Sequence, residues 1–486
     1  MDKQICRQGA SREPGDIALN TDYRKKRERL CRHKMKIIII GCGKIGTTIL
    51  SSLVAEGHDI VAVDSDNEVL SEIINIYDVM GVCGNGIDSD ILNEAGASKA
   101  EMFVAATGSD EFNVLSCFLA KKLGAKNTIA RIRSPEYNDR SLAFMRKQLE
   151  LSLAINPELL AAHEIFNILK FPSAAKIEKF SGRGFEMIEL RLKPDSALDG
   201  IKLWELREKY HTKVLVCCVQ RDEKVYIPDG NFILHSGDKI EITASPAEIQ
   251  KLLRAMGEFQ KQARSVMLLG GSRTAHYLAD MLTAGGVSVK IIERDEKTCS
   301  ELCEAIPKAV IIHGDGAQQE LLLEEGLRSL DAFVSLTGMD EENILISIFA
   351  AAQKVPKVIS KINRDELASL AERLGLDCIV SPKKIISDVL VQYARALQNS
   401  LGSNIETLYK LMDGKAEALE FNVRADSKLT GIPLKDLNIK PNILIAGILR
   451  YRKTIIPAGD DVIMPDDRVI IVAADQRLSD LSDILK

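Results

Sequence analysis

The sequence predicts an α/β fold with two Rossmann-like, parallel-sheet lobes, each followed by a small α+β domain. Three observations lead to this prediction. A long segment of the chain recurs 230 residues later. Within each copy, short apolar strands alternate with amphipathic helices, which is typical of a parallel sheet covered on both faces. A glycine-rich turn follows the first strand of each copy. We therefore expect a duplicated unit in the order large lobe, small domain, large lobe, small domain.

The repeat is visible in short polar motifs. Segment 84–86 (GNG) recurs as 314–316 (GDG), and segment 110–113 (DEFN) recurs as 340–343 (DEEN). The spacing stays constant from one motif to the next, so chance similarity is excluded. A period this long indicates two whole domains, and not a short structural repeat.

The first lobe contains six predicted strands. They are Lys36–Ile40, Asp59–Asp64, Val79–Cys83, Met102–Ala106, Thr128–Arg131 and Leu153–Ile155. Helices are predicted from the glycine turn to Glu56, over Glu111–Leu123, and from Pro157 through Ile168, since proline suits a first helical turn. The second lobe repeats the strands at Val266–Leu269, Val287–Glu293, Ala309–Ile312, Ala332–Leu336 and Val358–Ser360, with a helix that begins at Pro382.

The small domains are predicted from strands that follow each lobe. The first has strands at Phe185–Leu192, Val214–Val219, Lys224–Ile227 and Lys239–Thr243, with helices near Trp204 and from Pro246. The second has strands at Leu419–Val423, Ile443–Leu449, Thr454–Ile456 and Arg468–Val472. The predicted divisions are 1–34 (basic N-terminal extension, disordered), 35–156 (first lobe), 157–180 (crossover helix), 181–260 (first small domain), 264–381 (second lobe), 382–414 (crossover helix and linker) and 415–486 (second small domain).

Composition narrows the function classes. The net charge is −5 and aromatic residues make up 5%, which does not favour a nucleic-acid-binding protein. No stretch reaches the roughly 18 apolar residues of a membrane helix. The ten cysteines are scattered without a CxxC pair, as expected in a reducing cytoplasm. The first 34 residues hold ten Lys/Arg against five Asp/Glu. They are interpreted as an unstructured basic tail, or alternatively as untranslated sequence ahead of Met35.

The glycine turn of the first lobe predicts a nucleotide site. Glycines at this turn let the backbone approach a diphosphate, whose charge is met by free helix N–H groups, and an acid at the end of the second strand accepts from a ribose hydroxyl. That acid favours NAD or an adenosine nucleotide over NADP. The alternative is that this segment is only a tight strand-to-helix turn that binds no ligand. The predicted residues are Gly41, Cys42, Gly43, Lys44, Ile45, Gly46 and Asp64.

The second lobe departs from this pattern. Its turn has Ser272 in place of the middle glycine, so a side chain lies where a diphosphate would approach. Glu293 keeps the acid position and Arg273 matches Lys44. The second site is therefore expected to bind weakly, to bind a different nucleotide, or to be vestigial. Its turn consists of Gly270, Gly271, Ser272, Arg273 and Thr274.

Together these features resemble the RCK-domain (also called KTN) regulators of potassium transport. The resemblance covers about residues 35–486 and is carried by the glycine turn, Asp64, the DEFN motif, segment 129–132 (IARI) and their second-lobe counterparts. It implies that Asn85, Thr107, Gly108 and Arg131 complete the first nucleotide site. It also implies that Asp315, Thr337 and Lys361 complete the second.

The resemblance also implies a function. It points to a cytoplasmic, non-enzymatic subunit at the inner face of the membrane that binds NAD(H), or ATP and ADP, and gates a membrane potassium transporter by conformational change. A homo-oligomer is expected, as a tetramer or a ring of lobes, with no nucleic-acid partner. Two alternatives stay open: an RCK regulator of a cation efflux or antiport system, and an NAD-dependent oxidoreductase.

The oxidoreductase alternative needs a proton donor or acceptor beside the nicotinamide. None of the seven histidines recurs between the two copies. The small domains are also too short to hold a substrate cleft of their own. Cys299 and Cys303 lie one helical turn apart without a second ligand pair, so no metal site is expected.

Overall fold

The structure is a computed structural model that describes residues 34–137, 139–171, 173–174, 176–180, 185–399, 405–425, 427–451, 453–478 and 480–486. Residues 1–33 of the basic extension lie outside the described residues. Within the described part of the chain, no helix combines the length and the hydropathy needed to cross a membrane.

The first lobe has six strands and six helices. They are β1 (Lys36–Ile40), α1 (Lys44–Ala55), β2 (Asp59–Asp64), α2 (Asn67–Ile76), β3 (Met80–Cys83), α3 (Ser89–Glu94), β4 (Met102–Ala105), α4 (Asp110–Leu123), β5 (Asn127–Arg131), α5 (Asp139–Gln148), β6 (Leu153–Ile155) and α6 (Pro157–Lys170). All strand pairings are parallel, in the order β3-β2-β1-β4-β5-β6. The order reverses beside β1, so a crevice opens there at the carboxyl ends of the strands.

The first small domain is an antiparallel sheet with two helices. Its elements are β7 (Lys176–Lys179), β8 (Glu186–Arg191), α7 (Leu203–Tyr210), β9 (Leu215–Arg221), β10 (Lys224–Tyr226), β11 (Lys239–Ala244) and α8 (Pro246–Ala255). The strand order is β10-β9-β11-β8-β7.

The second lobe repeats the first. It contains β12 (Ser265–Leu269), α9 (Arg273–Ala284), β13 (Ser288–Glu293), α10 (Glu296–Ala305), β14 (Val310–His313), α11 (Gln319–Glu324), β15 (Ala332–Ser335), α12 (Asp340–Ala352), β16 (Lys357–Lys361), α13 (Asp365–Arg373), β17 (Ile379–Val380) and α14 (Pro382–Asn399). Its strand order, β14-β13-β12-β15-β16-β17, is that of the first lobe. The fold class predicted from the sequence is thus confirmed.

The second small domain has β18 (Ile405–Leu411), β19 (Ala416–Asn422), β20 (Ile443–Arg450), β21 (Lys453–Ile455) and β22 (Arg468–Ala474), in the order β18-β19-β22-β20-β21. This matches the first small sheet strand for strand. The helices differ, because the described residues of this domain form only short 3₁₀ turns where the first has α7 and α8. The two small sheets pack on each other through a shared apolar cluster that includes Phe185, Cys217, Ala418 and Ile470.

Three strands were not predicted from the sequence: the two-residue strand β17 at the edge of the second-lobe sheet, and the small-domain strands β7 and β18. β7 and β18 each form an edge of a small sheet, inside the segments assigned to crossover helix (157–180) and to helix and linker (382–414). Lys176–Lys179 reads KIEK and carries little apolar signal. Such edge strands are defined by pairing with a neighbour that already exists, so their own composition predicts them poorly.

The crossover helices exchange partners between the lobes. α6 leaves the first lobe and packs with α9 of the second lobe in one apolar cluster. α14 leaves the second lobe and packs against α1 of the first lobe, in a cluster that also includes the second small domain. Each lobe therefore completes the core of the other, which fixes how the two crevices face each other.

Candidate functional site

The glycine turn after β1 requires its glycines. Gly41 has φ +85°, and a Cβ there would lie 2.7 Å from the Thr107 methyl carbon and 2.9 Å from the Thr107 amide nitrogen. A Cβ on Gly46 would run into the carbonyl oxygen of Gly41. The turn thus brings β1, β4 and the start of α1 into direct backbone contact. α1 begins without a side-chain cap on Gly43, so its first N–H groups face the crevice free of side-chain acceptors.

Asp64 lies at the end of β2 and closes the turn from the other side. Its Oδ2 accepts a hydrogen bond from the Cys42 backbone N–H at 2.6 Å, and its Oδ1 accepts one from Asp66 N–H at 3.0 Å. The Cys42 side chain points into the core, where burial raises the pKa of its thiol to about 12, with a further contribution from Asp64. Cys42 therefore acts through its backbone and is no nucleophile at neutral pH.

The strand ends beside the turn are held by a buried amide. Asn113 is fully buried, and its Oδ1 accepts from Thr107 N–H at 2.8 Å and from Thr107 Oγ1 at 2.7 Å. Its Nδ2 donates to the carbonyl of Arg131 at 2.9 Å. Asp110, one helical turn earlier, accepts from the backbone N–H groups of Arg133 and Ser134 at 2.8 Å each. The DEFN motif thus joins the ends of β4 and β5.

Arg131 forms an ion pair across the crevice. Its Nη2 lies 3.3 Å from Oε1 of Glu158, which stands in the first turn of α6. Burial lowers the pKa of Arg131, while the nearby Glu158 carboxylate acts in the opposite direction. Arg131 Nε and Glu158 Oε2 are both buried without a hydrogen-bond partner. The Arg131–Glu158 pair therefore keeps hydrogen-bonding capacity that the described residues do not use.

The crevice is one cavity of about 890 Å³, within the range of small-molecule and cofactor sites. It lies between the two lobes and is not confined to the first. Its first-lobe wall consists of Ile40, Gly41, Gly43, Lys44, Ile45, Val63, Asp64, Ser65, Gly84, Asn85, Gly86, Ala106, Thr107, Gly108, Phe112, Arg131 and Glu158. Its second-lobe wall consists of Ser272, Arg273, Thr274, Lys361, Asn363, Pro382 and Lys383.

The residues predicted for the first site come together in this cavity, with two exceptions. Cys42 and Gly46 are buried behind the turn and do not line it. Lys44 lies in the wall and is exposed.

The residues predicted for a second site are divided by the structure. Ser272, Arg273, Thr274 and Lys361 stand in the wall of the first-lobe cavity, whereas Gly270, Gly271, Glu293, Asp315 and Thr337 do not. The reason is the exchange of crossover helices, which turns the second glycine turn toward the first. Lys361 donates from Nζ to the Leu336 carbonyl at 3.1 Å, and burial lowers its pKa.

In the second glycine turn, a side chain of the turn itself caps the helix that follows. Ser272 caps α9, with its Oγ accepting from the Ala275 N–H at 3.4 Å. Glu293 accepts from the backbone N–H of Gly271, as Asp64 does from Cys42. A Cβ on Gly271 would lie 2.8 Å from Leu302 Cδ1 and 3.0 Å from Thr298 Cγ2. This turn is therefore more crowded at its start and already capped.

Sequence reasoning missed four polar wall residues: Ser65, Glu158, Asn363 and Lys383. Glu158 and Lys383 stand in the first turns of the crossover helices, each just after a proline that the sequence did mark as a helix start. α6 and α14 begin at the carboxyl edge of their sheets, where ligands bind in folds of this kind. The proline at the start of each helix could therefore have marked Glu158 and Lys383 as wall residues. In the described residues, no three His, Cys, Asp or Glu side chains are arranged to hold a metal ion.

Known proteins are similar to this chain in sequence or in fold. Residues 37–157 and 266–382 match the TrkA-N domain, and residues 187–257 and 418–486 match the TrkA-C domain. "Trk system potassium uptake protein TrkA homolog 1" of Methanosarcina mazei is 31% identical over 93% of this chain and 100% of its own length.

Two solved structures have the same fold. The "GsuK RCK domain" has a TM-score of 0.60 and 16% identity over 91% of this chain and 93% of its own. The "GsuK channel bound to NAD" has a TM-score of 0.59 and 16% identity over 95% of this chain and 83% of its own.

Proposed function

Because this chain belongs to the TrkA family, with the TrkA-N and TrkA-C domains each present twice, we propose that it is the nucleotide-sensing regulatory subunit of a potassium uptake system. The observation that carries the proposal is the cavity between the lobes. It combines an uncapped helix start, the acid at the end of β2 and cations from both lobes in one place.

The ligand in this proposal is NAD+ or NADH, with ATP or ADP as the alternative. Asp64 suits a ribose diol, because its carboxylate is held at the end of β2 by two backbone N–H groups. The free N–H groups of α1 suit a diphosphate. The solved structure of similar fold that is named as bound to NAD supports the same class of ligand.

The proposal does not include catalysis. The described residues that line the cavity include no histidine, cysteine or tyrosine. Two carboxylates and one of the three lining lysines are engaged in positioning: Asp64 holds the turn, Glu158 pairs with Arg131, and Lys361 donates to a carbonyl. We therefore propose a site that binds its ligand without transferring a proton to or from a carbonyl substrate.

The proposed mechanism is a shift between two arrangements of the lobes. α1 begins at the glycine turn and ends beside Glu56, which pairs with Arg395 of crossover helix α14 at 2.8 Å. Arg395 also binds Glu417 of the second small domain at 2.9 Å. A nucleotide that draws the N-terminus of α1 toward the second lobe therefore moves the small domain through one helix of about 18 Å.

The partner in this proposal is the membrane-embedded potassium-translocating subunit (TrkH/TrkG-like), with the chain bound at its cytoplasmic side as a homo-oligomer, a tetramer or ring of lobes. The relatives named as Trk potassium uptake proteins support this partner. Regulation of a cation exporter or antiporter by the same site is distinguished by which membrane protein co-purifies with the chain.

The decisive experiment is calorimetric titration with NAD+, NADH, ATP and ADP. We expect one or more to bind, and Asp64→Asn to weaken binding roughly 10- to 100-fold, since a hydrogen bond to a charged group contributes about 1.5–3 kcal/mol. Glu293→Gln is the matched control, because it removes the equivalent acid outside the cavity. Absence of binding by all four nucleotides, or equal losses in both variants, would contradict the proposal.

A further inference from the structure

The first small sheet holds two carboxyl groups opposite each other. Glu189 on β8 and Glu241 on β11 are direct partners in the antiparallel register, so their side chains project from the same face of the sheet. The neighbours Ile240 and Ile242 pack into the apolar cluster on the other face. Glu241 is 2% exposed, whereas Glu189 reaches the wall of a second cavity, of about 1610 Å³, which both lobes and both small domains line. The pair is therefore buried on one side and connected to solvent on the other.

The face that carries this pair packs against the second small sheet. Met187, two residues before Glu189 on the same strand, belongs to the apolar cluster that the two small sheets share. In the second sheet, the same register positions hold Glu420 and Ile470. Ile470 is fully buried in that shared cluster. Glu241 therefore lies where the other copy of the domain has an apolar contact residue.

The two lysines beside the pair are already bound to other acids. Lys176 is the cross-strand neighbour of Glu189 on β7, and its Nζ lies 2.7 Å from Oε1 of Glu178. Lys239 on β11 lies 2.9 Å from Glu372 of the second lobe. The positive charge near the pair is therefore matched by carboxylates outside it.

The wider surroundings of the pair are also rich in acids. The groups that act on the pair directly are Lys176 and Glu178 on β7, Lys239 on β11, Glu372 on α13, and Asp413 after β18. Cys217 and Cys218 on β9 also face Glu241, and burial raises the pKa of both thiols, so they stay neutral. Lys176 is faced in turn by Glu164 on α6 and Tyr409 on β18, and Glu164 is faced by Lys384 and Asp388 on α14. Because carboxyl groups outnumber amines in this set, the cluster lacks positive charge.

These surroundings raise the pKa of both members of the pair. For Glu241, burial and then the charge of Glu189 raise the pKa well above its usual value of 4.5, and Lys176 acts in the opposite direction. For Glu189, burial raises the pKa and outweighs the opposing charge of Lys239. Two carboxylates that face each other in a buried place cannot both ionise without a large cost, so they titrate as a unit.

We propose that Glu189 and Glu241 bind one proton between them, and that this proton controls how tightly the two small sheets pack. With the proton bound, one carboxyl group donates a hydrogen bond to the other and the pair carries a single charge. When the proton leaves, two like charges face each other beside the apolar cluster, which favours entry of water from the cavity over packing. The inference goes beyond nucleotide binding and does not depend on it.

The direction of the pH effect follows from linkage. The closed chain binds the proton more strongly than an opened chain, in which the usual value of 4.5 applies. Opening therefore releases the proton, and a rise in pH favours opening. Stability that the pair contributes in acid is lost as pH rises from that usual value through the raised value of the closed chain.

Hydrogen–deuterium exchange of the full chain, read by mass spectrometry between about pH 5 and about pH 8, tests this proposal. Rates corrected for the intrinsic effect of pH give the opening constant of peptides that cover β8 and β11. Relative to Glu241→Gln, we expect the wild-type constant to rise about tenfold per pH unit, until a plateau marks the pKa of the pair. Glu241→Ile is expected to behave like Glu241→Gln, and it replaces that variant if the buried amide prevents folding, because the second sheet already holds Ile470 there.

An infrared measurement reports on the proton itself. The band of protonated carboxyl groups is expected to be weaker in Glu241→Gln than in the wild type at neutral pH. Glu164, whose pKa is raised by burial to about 7, is present in both chains, so its contribution cancels in the comparison. Equal bands in the two chains would overturn the proposal, as would opening constants with the same dependence on pH.

Glu208→Gln is the matched control. Glu208 is an exposed acid on α7 of the same small domain, and it lies outside the pair and its surroundings. This variant is expected to keep the wild-type pH profile, and a flattened profile would overturn the proposal, because the pH dependence would then not arise from the pair. Failure to bind nucleotide with all these profiles as expected would instead count against the proposed function alone.

Discussion

Asn113 and its counterpart Asn343 show how a single polar residue shapes each crevice. Asn343 repeats every contact of Asn113: its Oδ1 accepts from Thr337 N–H at 2.9 Å, and its Nδ2 donates to the Lys361 carbonyl at 2.9 Å. The DEFN and DEEN motifs marked the repeat in the sequence, and their role is now visible. They join two strand ends that would otherwise leave buried backbone groups without partners.

Asn113→Ala tests this role. Removing the amide leaves the Thr107 N–H without an acceptor, which costs about 1–3 kcal/mol of stability. We expect nucleotide affinity to fall about tenfold as well, equal to about 1.4 kcal/mol, because Thr107 and Arg131 lose their fixed positions. Thermal unfolding and calorimetry measure the two effects. Asn343→Ala is expected to lower stability by a similar amount and to change nucleotide affinity little. An equal loss of affinity in both variants would refute the role of Asn113 in the nucleotide site.

At the scale of elements, the junction of α1, α14 and β19 joins the first lobe to the second small domain. Arg395 binds Glu56 and Glu417, and the three side chains are 10%, 8% and 11% exposed. Burial alone would raise the pKa of Glu56, but the hydrogen bonds and charge of Arg395 outweigh burial and hold the pKa below its usual value. The junction is thus a fully paired buried network, which is costly to break on one side.

Arg395→Leu is expected to destabilise the chain by about 3–5 kcal/mol at neutral pH, because it leaves the buried Glu417 without this partner and leaves Glu56 only the longer, 3.9 Å contact with Arg477. The lowered pKa of Glu56 contributes stability above its usual value of 4.5, and this contribution is lost as pH falls through the lowered folded value. The difference between variant and wild type should therefore shrink below pH 4.5, as urea unfolding at both pH values will show.

The control for this prediction is an exposed ion pair. Lys435 and Asp460 lie 2.6 Å apart but are 59% and 87% exposed. Lys435→Leu is expected to change stability by less than about 1 kcal/mol at either pH. A cost for Arg395→Leu as small as this, or one that does not depend on pH, would show that the junction does not couple the elements.

At the scale of the whole molecule, the two lobes build one cavity between them. The Tyr277 hydroxyl on α9 donates to the Arg133 carbonyl at 2.9 Å and accepts from Asn156 at 2.9 Å, which fixes the second lobe against the first. Complete switching between two arrangements needs about 5.5 kcal/mol of differential affinity. In the proposed function, charge-assisted contacts from the cations that line the cavity on both lobes would supply this difference.

Arg273→Met tests the contribution of the second lobe. Arg273 stands in the wall opposite the first glycine turn, so we expect its loss to weaken ATP and ADP about tenfold and to leave adenosine unchanged. Calorimetry measures the loss of affinity, and repeating it at a second salt concentration shows whether the lost contact is electrostatic. Arg294→Met is the control, since Arg294 is exposed and lies outside the cavity. Equal weakening of ATP and adenosine would contradict a phosphate contact from this lobe.

The sequence by itself determined the features that depend on local pattern. Apolar runs of strand length, the spacing of the repeat and the glycine turn before α1 predicted both parallel sheets, because each signal lies within a few residues of the element it defines. The same holds for Asp64, whose place at the end of β2 follows from the length of one strand–helix–strand unit.

Only the tertiary structure decided which residues share a surface. The edge strands β7 and β18, the exchange of α6 and α14, and the meeting of Arg273 and Lys361 with the first-lobe crevice all depend on contacts between residues far apart in the chain. Local composition records how a segment folds. It does not record which distant segment will cover it, since any complementary apolar face contributes about the same free energy per unit of buried area.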